Sequence, residues 1–354
     1  MREGTLGSSR CWLWAYAPEV MGRTVPESTS CLQYDFTEDV EIPKCYIPVG
    51  HHPLQIDDRL HTRYRIVNKL GYGSCSTLWL ALDKQISKYV AIKIGVAGAD
   101  RQEADILHVT DKLLMIDAPL DDFSLNGPNG NHQFLVKAPA RCSLKDAREA
   151  SYNGLFQPDV ARSLAAQLAV AVSLDLAFLL MLSRPCGLAQ SSKVTPNEAR
   201  LPLGDFSVAF SPSGKSCFEA YIDPSPQPPE TLFEPTTPLC FASDIWSLGC
   251  MVFELLSCRS LINGWIASQD YITAQQSVTY GGWDREFEGH MQEMRQRCDM
   301  LVASEGEKLV LLELVQWMLA WRPEERPNAK QVLETTWMKE WALPAYEEMH
   351  FTKF

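Results

Sequence analysis

Little in this chain of 354 residues serves a disulfide framework, a polyanion or a lipid bilayer. Its 11 cysteines are odd in number and scattered, with no C-x-x-C pair. That spacing argues against a zinc cluster or a secreted disulfide scaffold and for reduced thiols in an intracellular compartment. Basic residues are in deficit: 32 Lys and Arg against 44 Asp and Glu leave a formal charge of -12. An unspecific nucleic-acid or anionic-membrane binder needs a basic face to displace counterions, so neither is expected as a direct partner. The N-terminal apolar stretch after Arg10 stops at Pro18, too short for a secretory signal. Histidine is scarce as well, and none of the seven lies between 133 and 289.

One segment approaches membrane length: from Leu164 to Leu182 it is apolar apart from Gln167, Ser173 and Asp175. A charge near mid-span is costly in lipid, and no basic cluster flanks it. An all-round apolar helix in the core of a large domain is therefore expected.

What the chain does have is the composition of a folded protein, 46% hydrophobic and 21% charged. Residues 1–45 mix Gly, Ser, Thr and Pro without periodicity and read as a poorly ordered lead. Beyond them, 64–70, 77–82 and 89–94 are short apolar, partly β-branched runs separated by Gly71, Gly73 and Asp83-Lys84. They predict three antiparallel strands, with a further strand over 132–136 and a helix over 101–115. From Asp159 the periodicity turns helical, over 159–182, 243–257, 308–321 and 329–341, broken by a Pro-rich stretch at 223–238.

Chemistry-bearing residues sit at particular points of this plan. Gly71-Tyr-Gly73-Ser-Cys-Ser76 joins two strands, and Val90-Ala-Ile-Lys93 puts a lysine on the third, with Glu103 in the helix that follows. Two glycines in a hairpin are common, and a lysine on a strand can be a solvated surface group. Apolar neighbours on both sides of Lys93 argue for the other reading. A glycine hairpin lets backbone N–H groups lie over phosphates, while a strand lysine steadied by a helix carboxylate neutralises them.

Taken in order, these motifs and the lead Val49-Gly-His-His-Pro-Leu54 resemble the kinase domain of SR-protein kinases, especially their fungal relatives. Gly204-Asp205-Phe206-Ser207 resembles the D-F-G motif with Ser in the glycine place, and Pro228-Pro229-Glu230 resembles A-P-E. Asp244-Ile-Trp-Ser-Leu-Gly249 is similar to the helix signature whose aspartate orients the catalytic loop. Arg322-Pro-Glu-Glu-Arg326 resembles the late motif whose arginine pairs with the A-P-E glutamate, which implies a structural Glu230–Arg326 ion pair.

The resemblance implies an α+β, bilobal protein-kinase-like fold, with a small β-rich N-lobe over 46–140 and a larger α-helical C-lobe over 141–354. It further implies ATP and Mg2+ as cofactors. Leu70, Gly71, Gly73, Ser74, Ser76, Ala91, Lys93 and Glu103 would bind the nucleotide, and Asp205 the metal. A protein substrate or partner, Arg/Ser-rich by family habit, is implied too.

The pattern breaks where the chemistry should be. A kinase carries an H/Y-R-D-type loop whose Asp takes the substrate hydroxyl proton and whose Asn, five residues on, holds metal. Between Val160 and Gly204 the only aspartate is Asp175, with Ala177 where a phosphate-binding Lys is usual and Leu180 where the Asn should stand. Asp175 therefore reads as a helix carboxylate, and no catalytic base is identified. The stretch 175–199 does not resemble the family, as an altered reading frame, a misplaced exon boundary or a deletion would each bring about. By the same resemblance Lys137 falls at the gatekeeper position and Ala138 where relatives commonly have Glu, so the adenine pocket is expected to be altered. Three outcomes follow: a serine/threonine kinase of low activity, a pseudokinase that binds nucleotide or scaffolds a partner, or a fold weakened because Asp244 has lost the loop that it holds.

Overall fold

The computed structural model describes residues 41, 43–109, 118–140, 144–149, 154–173, 201, 204–212, 214–220, 222, 226–257, 260–262, 272, 276 and 291–351. The expected lead over 1–45 falls almost wholly outside them, and Asp175 with the atypical stretch 175–199 falls entirely outside them.

Six strands form one antiparallel sheet: β1 (Arg59–Leu60), β2 (Tyr64–Tyr72), β3 (Ser76–Asp83), β4 (Lys88–Gly95), β5 (Asp121–Gly127) and β6 (Gly130–Lys137), in the order β1-β2-β3-β4-β6-β5. The alternation in β3 explains why it is a strand: Thr77, Trp79, Ala81 and Asp83 are buried while their neighbours are partly exposed. Those inward residues join Tyr64, Ile66, Val90, Ile92, Ile94, Phe134 and Val136 in the core of the sheet. Asp83, 1% exposed, sits in that core because Arg63 donates to it through Nε and Nη2. Arg63 Nη1 and the Tyr64 hydroxyl also donate to Asp121, which ties β2 to β5. Strand β5 escapes a reading by hydropathy because only Phe123 and Leu125 are apolar. The two-residue turn Pro128-Asn129, followed by Gly130 at φ 132° as the first residue of β6, is the signal that marks the hairpin.

Helix α1 (Gln102–Val109) lies after β4, and α2 (Leu144–Glu149) follows the sheet. Helix α3 (Pro158–Val172) starts on a proline, whose missing N–H is no loss at a first turn. Its residues from Pro158 to Val172 are nearly all buried, as expected for a core helix. Val160, Leu164 and Leu168 each contribute about 1.5–3 kcal/mol by leaving water. Among the described residues no helix is long and apolar enough to cross a membrane.

Helix α3 packs on α5 (Phe241–Leu256), which follows the single turn α4 (Glu230–Phe233). Gly249 lets α5 approach its neighbour closely, since a Cβ there would lie 2.9 Å from Leu319 Cγ and 3.1 Å from Met318 Cβ. The helical part is completed by α6 (Glu293–Arg297), α7 (Glu305–Met318), α8 (Ala329–Glu334) and α9 (Leu343–Phe351). Helix α7 begins three residues before the periodicity suggests because Ser304 caps it, accepting from Glu307 N–H at 3.1 Å. The helical pattern over 329–341 is interrupted at Thr335, whose N–H and hydroxyl both bond to the Val332 carbonyl and end α8.

Candidate functional site

The glycine hairpin is closed by the Gly73 N–H donating to the Ser76 carbonyl at 2.8 Å. Register irregularities in β2 on either side of Asn68 and Lys69 bend the strand as it reaches Gly71. A Cβ at Gly71 or Gly73 would meet nothing within 4 Å, so the space beside the hairpin backbone is open. Ser74 is exposed, Leu70 and Ser76 are partly exposed, and Ala91 of β4 is buried at 6% exposure.

Strand β4 carries Lys93 to the centre of four charges. Its ammonium donates to Glu103 Oε2 on α1 at 2.5 Å and also to Asp205 Oδ1. Burial alone would lower the lysine, but the two carboxylates outweigh it and hold Lys93 above its ordinary value. For Asp205 burial likewise favours the neutral acid, and the Lys93 charge and hydrogen bond reverse it, keeping the carboxyl below its usual range. Asp205 adopts the left-handed conformation, φ 67° and ψ 56°, which is uncommon for a residue with a Cβ. Ser207, in the place of the expected glycine, donates its hydroxyl to Asp205 Oδ1 at 2.9 Å.

Packing fixes this arrangement. Phe206 is buried with Ala104 and Leu107 of α1 and Leu135 of β6, so that α1, the sheet and the Asp205 segment share one small core. Gln102 adds a bond from its amide to the Ala209 carbonyl. The fourth charge is Lys137, whose ammonium reaches Glu103 Oε1 at 3.4 Å.

The structure thus brings together Lys93, Glu103 and Asp205, and sets the glycine hairpin on the strands that lead to Lys93. Two contributors were not legible beforehand: the bond from Ser207 to Asp205 and the pairing of Lys137 with Glu103. The serine was visible only as a departure from a motif. The lysine pairing spans 34 positions and has no local signature.

Fit to the implied ATP and divalent ion differs between the two ends of the site. Open backbone at Gly71 and Gly73 and a charged lysine suit a polyphosphate. For the metal, Asp205 is the suitable oxygen donor, and among the described residues no group of three or more His, Cys, Asp or Glu could hold an ion by itself.

In the helical part the two late motifs meet. Arg326 donates to both oxygens of Glu230, at 2.8 and 2.7 Å, with its side chain fully buried. The ion pair implied by the sequence is present. Asp244, by contrast, is 3% exposed, and its Oδ1 has no partner among the described residues. Burial pushes its carboxyl well above the ordinary value.

Comparison with known proteins agrees with this geometry. Residues 194–338 match the family model described as protein kinase domain. Serine/threonine-protein kinase spk-1 of Caenorhabditis elegans is 33% identical over 138 residues, covering 35% of this chain and 14% of that protein. SRSF protein kinase 3 of Homo sapiens is 32% identical over 151 residues, covering 38% and 26%. A serine/threonine protein kinase of Aspergillus fumigatus is 22% identical over 349 residues, covering 81% of this chain and 87% of its own length. The chain therefore spans well under two thirds of the first two relatives. An antiparallel sheet bearing Lys93, a helix bearing Glu103, the Asp205-Phe206 segment and these likenesses together make this an α+β chain with a protein kinase domain similar to that of the SR-protein kinases.

Proposed function

We propose that the chain is an ATP-binding serine/threonine protein kinase of the SR-protein-kinase type whose phosphotransfer is weak. The observation that supports it is the assembled Lys93–Glu103–Asp205 group, which a nucleotide site needs before any transfer can occur. Leu70 and Ala91 would line the base, the backbone of 71–76 would lie over the phosphates, and Lys93 would neutralise them. Bound Mg2+ would supply charge neutralisation at the phosphates, held from the protein side by Asp205. On this reading a division near residue 140 would set that site between a small β-rich part and a larger helical part.

Weak activity follows from what stands opposite. The proton of an attacking serine hydroxyl needs an acceptor, and no H/Y-R-D sequence precedes Asp205. Phosphoryl transfer rests almost wholly on positioning and charge stabilisation, so loss of that Asp and its metal-binding Asn removes much of both.

Asp244, whose Oδ1 has no partner among the described residues, favours a second reading, a pseudokinase that binds nucleotide or scaffolds a partner. A protein partner, Arg/Ser-rich by analogy with the relatives, suits the charge of -12, and the free thiols among the described cysteines suit a reducing compartment of the cell.

A thermal-shift titration of the wild type and Lys93→Ala with Mg2+-ATP tests both readings, because a ligand of the native state raises the melting temperature by mass action. A shift lost in Lys93→Ala establishes the nucleotide site. Slow phosphorylation of a Ser/Arg-rich peptide, also lost in Lys93→Ala, selects the kinase, and its absence the pseudokinase. No shift in a cooperatively melting wild type overturns nucleotide binding.

A further inference from the structure

Glu103 is shared between two lysines. Lys93 takes Oε2 and Lys137 stands 3.4 Å from Oε1, so each carboxylate oxygen has its own cation. The sheet register explains how. Ala91 of β4 lies directly opposite Lys137 of β6, and Lys93 stands two residues from Ala91 on the same face. Both lysines therefore rise from adjacent strands toward α1. Lys137 is 20% exposed and Glu103 10%, so their attraction is only partly screened by water.

The four groups Lys93, Lys137, Glu103 and Asp205 carry two charges of each sign. In this arrangement Lys93 is divided between Glu103 and Asp205. A cation divided in this way holds Glu103 less firmly whenever it turns toward another anion, whereas Lys137 has only Glu103 within ion-pair distance among the described residues. Helix α1 is short and gains from such a hold: it is attached otherwise by the small core around Phe206, by the Gln102 bond to Ala209 and by the contact of His108 with Asp122 of β5 at 3.0 Å.

We propose that Lys137 is a positioning residue of the nucleotide site, a second cation that anchors Glu103 and α1 against the sheet while Lys93 engages an anionic ligand. The inference rests on the nucleotide-binding reading for its functional consequence but not for its structural one. Removing Lys137 loosens α1 in the free protein and leaves Lys93 as the one ion-pair partner of Glu103 among the described residues.

The test pairs two measurements on the full chain, for the wild type, Lys137→Met and Lys137→Arg. Amide hydrogen exchange over 102–109 is measured without nucleotide, and Mg2+-ATP affinity is measured by titration. Lys137→Met is expected to speed exchange in α1 and to raise the Kd about tenfold, in the range seen for directly coupled charged neighbours. Lys137→Arg is expected to restore both. Unchanged exchange in Lys137→Met overturns the proposal, as does a tighter nucleotide complex, which would make Lys137 a competitor of Lys93. If the wild type binds no nucleotide, the functional reading fails while the exchange measurement still decides the role of Lys137. If Lys137→Met fails to fold, Lys137→Gln replaces it in both measurements.

Discussion

Arg326 grips Glu230 with two parallel hydrogen bonds, 2.8 and 2.7 Å long, across 96 residues of chain. The same guanidinium donates to the carbonyls of Ala320, Trp321 and Ala242, and Ser243 donates to Glu230 Oε1. Four segments therefore meet at a single buried pair, and the helical part keeps this joint although its catalytic loop is not recognisable.

Breaking this pair should cost more than its net contribution to stability. Glu230→Gln leaves a buried guanidinium uncompensated, an effect of about 3–5 kcal/mol. The expected outcome is a large drop in the urea midpoint, with Arg326→Met similar and the double variant less destabilised than the sum. A change under about 1 kcal/mol in Glu230→Gln would show the joint to be dispensable.

Asp244 should behave in the opposite sense. A buried acid whose folded pKa is raised binds a proton more tightly folded than unfolded, so the fold loses stability as pH rises from the ordinary value of 3.8 toward the raised one. Asp244→Asn removes that loss. It should melt higher than the wild type near pH 7, by about 1–3 kcal/mol, with the gap closing below pH 4. Destabilisation at neutral pH would instead mean that the carboxylate holds a loop in its ionised form.

The histidines against the β5–β6 hairpin set an acid limit. His51 is 3% exposed and its Nδ1 has no partner among the described residues; the same is true of Nδ1 on His52, whose ring packs edge-on against His132 and Phe134. Burial is the largest cause and lowers both from 6.5; for His51 Glu41 opposes it while Lys69 and His132 add to it, and for His52 His132 adds to it while Asp58 opposes it. Groups of this kind favour the fold above about pH 6.5, and that contribution is lost as pH falls from the unfolded value through the lowered folded one. Melting temperature should decline from pH 7.5 to 5.5, and His52→Phe should flatten part of the decline. An identical slope in the variant would place the acid sensitivity elsewhere.

Local pattern was enough to place much of the scaffold. Strands β2, β3 and β4 were legible as short apolar, partly β-branched runs between turn residues, and α3 because its apolar run is too long for a loop. Lys93 and Glu103 could be assigned from their setting, one on an apolar strand and the other in the next helix. Strand β5 was not, since two apolar residues in seven make no clear period.

What the sequence by itself determined is the order of elements, the ion pair implied by two distant motifs, and the lack of a recognisable base before Asp205. Tertiary structure alone decided which charges meet. Lys137 and Glu103 are brought together by the register of β4 on β6 and the seat of α1 over Phe206. Such a contact depends on the positions of three elements at once, and no periodicity along one element encodes it.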